Sequence, residues 1–285
     1  MPDHADAART GEVLVPGATI YYKVRGHGPV VLLLQGGDGD ADSSDNLAAQ
    51  LADHFTILSY DRRGLSRSRI DDPSAPIDLT VHGDDAARVI AAVTDEPVAV
   101  FGTSFGALLG LDLLSRHPER IRLLIAHEPP ATELLNEPDR RDAEKGQEDV
   151  EVMFRNEGAV AAMQKFAALV GLRFDDREPD VALPEPKPER MTNLGFFLTH
   201  DAPAVRAYRF DLPALRQWAD RVIPSAGRTT ATFPRGCAEA LAAELHRPLI
   251  EFPGGHNGSL LHPREFGNQL LQLLLEHTSD AGCSY

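Results

Sequence analysis

The chain has 285 residues, enough for one large α/β domain or two small ones, and its 42% hydrophobic and 25% charged content can fill a sizeable core. With 28 basic against 43 acidic residues the net charge is −15, a surface that repels phosphate backbones and anionic headgroups, so neither nucleic acid nor membrane is expected as a partner. Cys237 and Cys283 make no disulfide framework and no metal-ligand spacing. The first ten residues contain no apolar run of a secretory leader, and no apolar stretch approaches bilayer length, so a cytoplasmic location is expected.

In chain order, Glu12 to Val15 and Ala18 to Val24 read as a hairpin around Pro16-Gly17. Val30 to Leu34 is a continuous apolar run ending at Gly36-Gly37, as in a strand buried on both faces. Asn46 to His54 has helical spacing and Phe55 to Tyr60 reads as another strand. A helix over Asp84 to Val93, a strand over Pro97 to Gly102, a helix over Phe105 to His117 and a strand over Ile121 to Ala126 follow. This alternation implies a parallel sheet of βαβ units. It stops between Pro129 and Asp220, which is charge-rich, proline-punctuated and mostly helical in pattern, with a loop or hinge over Glu178 to Arg190. The sheet pattern resumes with a strand at Arg221 to Ala226, a helix at Pro234 to Leu245, a strand at Leu249 to Phe252 and a closing helix at Pro263 to Glu276. The expectation is an α/β fold, a mostly parallel sheet flanked by helices. Its core would comprise residues 1–128 and 221–285, with a helical lid over residues 129–220 inserted after strand 6.

The segment Gly102-Thr103-Ser104-Phe105-Gly106 sits where a buried strand ends and a helix begins. A serine hydroxyl is a weak nucleophile, so a catalytic one must be presented sharply and deprotonated by a neighbour. A strand-to-helix turn presents it, the flanking glycines let the two backbones approach, and the Phe105 N–H can face a developing oxyanion. His256 follows a short strand and a Pro-Gly-Gly turn, on a loop able to carry an imidazole over the same edge of the sheet.

Together these features resemble the α/β-hydrolase superfamily, and within it the lidded, cofactor-free bacterial hydrolases. Tyr60-Asp-Arg-Arg-Gly-Leu-Ser-Arg-Ser68 is similar to the family's Y-D-x-R-G-x-G-x-S segment, with Ser66 in place of the second glycine. Gln35-Gly36-Gly37-Asp38 stands at its H-G-x oxyanion turn, and Leu249 to Asn257 resembles its last strand and histidine loop. The resemblance implies Ser104 as nucleophile, His256 as base, and the N–H groups of Phe105 and Gly37 as oxyanion donors. Gly36, Asp38, His127, His200 and Phe197 are the expected substrate-facing residues. No metal and no cofactor are implied.

The family usually places its acid after the seventh strand, where this chain has Ala226-Gly-Arg-Thr-Thr-Ala231, with Thr229 and Thr230 instead of a carboxylate. Glu128, ending the sixth strand, is the favoured substitute. Asp201 and Asp38 are weaker candidates, and a Ser-His dyad is the remaining case. The expected reaction is hydrolysis of an ester, thioester or lactone carbonyl in a small-to-medium apolar substrate through an acyl-enzyme. A lyase, cyclase or acyltransferase on the same fold is one alternative, and a non-catalytic ligand-binding relative is another. The physiological substrate and oligomeric state are not written in the pattern.

Overall fold

The computed structural model describes residues 8–182 and 188–279. Residues 1–7, over which a leader pattern was sought, the middle of the proline-rich stretch and Cys283 lie outside the described residues. Among the described residues nine strands form one sheet in the order β1-β2-β4-β3-β6-β7-β8-β9, with β5 paired to β2. They are β1 (Arg9–Val15), β2 (Ala18–Gly26), β3 (Val30–Leu34), β4 (Thr56–Tyr60), β5 (Arg69–Ile70), β6 (Val98–Thr103), β7 (Ile121–His127), β8 (Val222–Gly227) and β9 (Ile250–Phe252). β1 and β2 are an antiparallel hairpin, β2 is antiparallel to β4, and every pairing from β4 through β9 is parallel.

The central strands β3 and β6 are mostly apolar because both faces of the sheet are covered. In β3, Leu32 and Leu34 enter one core while Val31 and Leu33 enter the other. β6 does the same, with Val98 and Val100 on one side and Ala99 and Phe101 on the other. Helices α1 (Asp45–Leu51), α2 (Leu79–Ala91) and α3 (Phe105–Arg116) connect the strands up to β7. The start of α2 lies five residues before the sequence pattern places it, because Asp78 caps it by accepting from the Val81 N–H at 3.2 Å. The two-residue β5 was not legible as a strand, so the long helical segment follows the seventh strand in chain order rather than the sixth.

That segment runs from β7 to β8 and, among its described residues, adds no strand to the sheet. It contains α4 (Glu137–Glu157), α5 (Ala159–Val170), α6 (Pro188–Phe196), a π-helical turn (Phe197–Asp201), α7 (Ala202–Ala207) and α8 (Leu212–Gln217). Val150, Ala162, Leu194 and Leu198 give it a small apolar cluster of its own. The chain closes with α9 (Phe233–Glu244), α10 (Gly258–Leu261) and α11 (Pro263–Ser279). Among the described residues no helix is long and apolar enough to cross a membrane.

Candidate active site

β6 ends and α3 begins at a single residue, Ser104, whose backbone is held at φ 52° and ψ −121°. This is a sparsely populated conformation for a residue with a Cβ, and such strain persists only where the surroundings enforce it. Here close backbone contact enforces it. A Cβ on Gly102 would lie 2.5 Å from the Gly106 carbonyl oxygen, and one on Gly106 would overlap the Leu34 carbonyl. Only glycine at both places lets β3, β6 and α3 converge beneath the serine. The Ser104 N–H donates to the His127 carbonyl at 2.8 Å, tying the turn to β7. As the first residue of α3, Phe105 has an N–H without a partner inside the helix.

The turn after β3 is held from below by Arg62. Its guanidinium donates to the carbonyls of Gln35 and Gly36, each at 3.2 Å, and also to that of Gly37. The same guanidinium lies 4.4 Å over the Phe105 ring, so one side chain touches both the turn and the elbow. The Gln35 side chain, which stands where the family has histidine, donates to the Ser44 hydroxyl.

Glu128 continues from the end of β7 with φ 50°, a second strained position beside the serine. Its carboxylate is fully buried and divides its two oxygens. Oε1 accepts from the Gly227 N–H at 2.8 Å, and Oε2 lies 2.6 Å from His256 Nδ1. Burial opposes ionisation of Glu128, but the His256 hydrogen bond and the nearby imidazoles outweigh it and hold the carboxyl well below the usual range. Thr229, at the position where a carboxylate was sought, turns to another partner and donates to Asp176 at 2.9 Å.

Ser104, Phe105, Gly37, Glu128 and His256 all line one cavity, which encloses about 610 Å³ including its open mouth. The rest of its wall is almost entirely apolar. Val150, Phe166, Val170, Phe197, Leu198, Ala202 and Val205 come from the helical segment, and Phe233 and Pro234 from the start of α9. Gln147 is the polar exception. Its side chain makes no hydrogen bond within the described residues, and among those residues no Lys or Arg lines the cavity.

Four residues expected to face substrate are placed elsewhere. His127 is buried among the rings of Phe101, Phe252 and Phe266, and desolvation pushes its pKa down to about 4. It fills the core because β7 alternates and turns this side chain to the face opposite the cavity. His200 stacks on Phe196 at 4.6 Å, and Asp38 pairs with Arg190 at 2.6 Å. Gly36 backs the serine without lining the cavity, since a Cβ there would meet the Ser104 Cβ at 3.6 Å. Of the adjacent phenylalanines, Phe197 lines the cavity and packs edge-on against Phe105 at 6.0 Å.

The family comparison bears on the fold. Residues 29–263 match the family model described as the alpha/beta hydrolase fold. The chain belongs to the α/β-hydrolase family. It is 36% identical over 269 residues to the uncharacterised hydrolase YraK of Bacillus subtilis (strain 168), an alignment covering 93% of this chain and 95% of that one. A zearalenone hydrolase of Bionectria ochroleuca is 33% identical over 123 residues, covering 42% of this chain and 46% of the relative. The crystal structure of the enol-lactonase from Burkholderia xenovorans LB400 superposes with a TM-score of 0.68 at 20% identity, over 94% of this chain and all of that one. The protein is therefore an α/β-hydrolase enzyme.

Sequence reasoning missed a buried charge network beside the site. His82 on α2 lies 3.1 Å from Asp201, and Asp201 forms an ion pair with Arg62 at 3.5 Å. All three are nearly or fully buried. Burial disfavours the Asp201 anion, while His82 and Arg62 outweigh that cost and keep its carboxyl below the usual range. The available signal was the π-helical turn that ends at Asp201, a local irregularity common at functional positions, but no sequence pattern announces it. As for metal ligands, Glu178, His262 and Glu265 bring ligand atoms within 4.8 Å of one another, away from the cavity. The Glu178 carboxylate already accepts from the backbone N–H groups of Arg264 and Glu265, capping α11.

Proposed function

We propose that the protein is a serine hydrolase that cleaves an ester, thioester or lactone carbonyl in a neutral, small-to-medium apolar substrate. The observation that carries this reading is the strained Ser104 opening onto the same cavity as His256, whose Nδ1 is engaged by the buried Glu128. With Nδ1–H donated to Glu128, Nε2 remains as the acceptor for the serine proton. Ser104 Oγ attacks the carbonyl carbon as its proton passes to His256. The oxyanion accepts from the N–H groups of Phe105 and Gly37, and the imidazolium returns the proton to the departing oxygen or sulfur. Water then repeats the sequence on the acyl-enzyme. Glu128 takes the part of the orienting acid from the end of β7.

The helical segment acts as a lid, supplying apolar wall on one side of the site and keeping bulk water from the ester. The lack of cationic groups in the wall disfavours carboxylate substrates, and Gln147 offers one hydrogen bond to a hydroxyl or carbonyl remote from the scissile bond. The hydrolase and lactonase names of similar proteins are consistent with carbonyl chemistry.

Turnover of p-nitrophenyl acetate and butyrate and of a neutral aromatic lactone in H₂¹⁸O tests the reaction class. One solvent oxygen per acid product is expected, with an initial burst of nitrophenol. Cleavage without solvent oxygen in the product would reject hydrolysis in favour of elimination or acyl transfer.

A further inference from the structure

We infer that Arg62 and Asp201 are positioning residues for the oxyanion hole, and that through them the helical segment sets the geometry of the Gly37 turn. The inference rests on the reading of Gly37 N–H as an oxyanion donor.

Three successive carbonyls, those of Gln35, Gly36 and Gly37, accept from the one guanidinium of Arg62. A peptide plane held by its carbonyl has its N–H direction fixed as well, because C=O and N–H of one unit share a plane. Fixing the Gln35 and Gly36 carbonyls therefore fixes the N–H groups of Gly36 and Gly37. The guanidinium presents its donors in a rigid planar fork, which a lysine ammonium on its flexible stem does not reproduce. The same guanidinium lies on the Phe105 ring, which His82 also meets edge-on at 5.6 Å and Phe197 at 6.0 Å. Both proposed oxyanion donors are thus referenced to one cation.

Arg62 is 3% exposed, so it must be neutralised, and Asp201, fully buried, is its ionic partner. Asp201 belongs to neither the sheet nor its connecting helices but to the π-helical turn of the helical segment. Neighbouring contacts join the same two regions. Asn193 on α6 accepts from the Ser66 N–H at 2.8 Å and donates to the Asp38 carbonyl at 3.3 Å. Ser66 has φ 46°, occupying with a serine the left-handed backbone for which the family uses glycine. At 3.5 Å the Arg62–Asp201 pair is longer than a good hydrogen bond, and Arg62 Nε and Asp201 Oδ2 have no hydrogen-bond partner. The pair can therefore tighten as the helical segment settles on substrate, drawing the turn into register for the reaction.

The test compares wild type, Asp201→Asn and the double variant Arg62→Met/Asp201→Asn. The readouts are steady-state kinetics on p-nitrophenyl butyrate and inhibition by an alkyl trifluoromethyl ketone. In the ketone adduct Ser104 Oγ bonds to the carbonyl carbon, the carbonyl electron pair moves to oxygen, and the serine proton moves to His256. Affinity for the ketone therefore reports oxyanion stabilisation. Misplacing a donor by about 1 Å costs on the order of 100-fold, so Asp201→Asn should lose roughly 10- to 100-fold in kcat. KM should stay within about threefold and ketone affinity should fall in step with kcat. The single variant leaves a buried, unpaired cation and will also lower the Tm. The double variant removes both charges, and should recover most of the Tm while kcat and ketone affinity stay low. Recovery of kcat together with the Tm would overturn the inference, since the pair would then be structural only. So would unchanged kcat in Asp201→Asn, or a loss confined to KM. If the wild type forms no ketone adduct at Ser104, the serine reading fails and the inference with it. An adduct in the wild type with unaltered variants rejects the inference alone.

Discussion

Ser104, Glu128 and the Gly37 turn stand at the ends of parallel strands, and backbone geometry sets each of them. Two of these residues sit at positive φ, the elbow depends on two glycines, and Glu128 is anchored through the Gly227 N–H. The opposite wall, drawn from the helices between β7 and β8, meets the same cavity with residues that are nearly all apolar. Among the described residues its own core cluster holds four buried hydrophobic residues. The contrast separates the two tasks. On the proposed mechanism, rigid, strained backbone is where charge would develop, and apolar surface is where substrate would be chosen. Substitutions in the first region should act on kcat, and those in the second on KM.

The largest effect is expected at the elbow. Ser104→Ala should lower kcat for p-nitrophenyl butyrate by roughly 10⁶-fold, to near background. Next comes Glu128→Gln, which keeps the shape but loses the charge that holds the His256 tautomer, and should cost roughly 10³- to 10⁴-fold in kcat. Thr229→Ala, at the family's usual acid position, should stay within about threefold in the same assay, as its hydroxyl serves Asp176. Equal losses at Glu128 and Thr229 would reverse the assignment of the acid. In the helical wall, Phe166→Ala removes apolar contact worth about 1–3 kcal/mol, so KM should rise about 10-fold or more with kcat nearly unchanged. A 100-fold fall in kcat there would dissolve the distinction between the regions.

A separate effect, on stability rather than rate, arises behind the site. His127 is fully buried with its pKa held near 4, whereas an unfolded histidine titrates near 6.5. Between those values the unfolded chain binds more protons, so stability falls as pH drops from about 6.5 to about 4, by ~3 kcal/mol in all. Glu128, with its carboxyl depressed, stabilises the fold above the ordinary glutamate range and withdraws that support only at lower pH, so the two windows separate. Urea denaturation of His127→Leu should show a flatter profile over the upper window. An unchanged slope would mean that this histidine does not titrate on unfolding.

The same contrast explains what could be read beforehand. Sheet strands such as Val30–Leu34 and Val98–Thr103 are legible because burial on both faces demands unbroken apolar runs. The elbow is legible because close backbone approach admits only glycine at 102 and 106. Glu128 could be nominated from its place at a strand end once Thr229 and Thr230 stood where the acid was sought. The helical segment was legible only as helical, since Val150, Phe166 and Val205 lie on three different helices and become neighbours through tertiary packing rather than through spacing. His127 misled because one residue along a strand reverses the face, so a histidine beside the acid turns into the aromatic core. Arg62 and Asp201 are far apart in sequence and lie in no shared motif, which hid their pairing until the fold brought them together.

The most direct test is intact-mass analysis after brief incubation with a fluorophosphonate, for wild type, Ser104→Ala and Glu128→Gln. One adduct on the wild type, none on the alanine variant and much slower labelling of the glutamine variant are predicted. No adduct on the wild type, or equal rates for wild type and Glu128→Gln, would contradict a serine at the β6–α3 turn activated through His256 by a carboxylate at the end of β7.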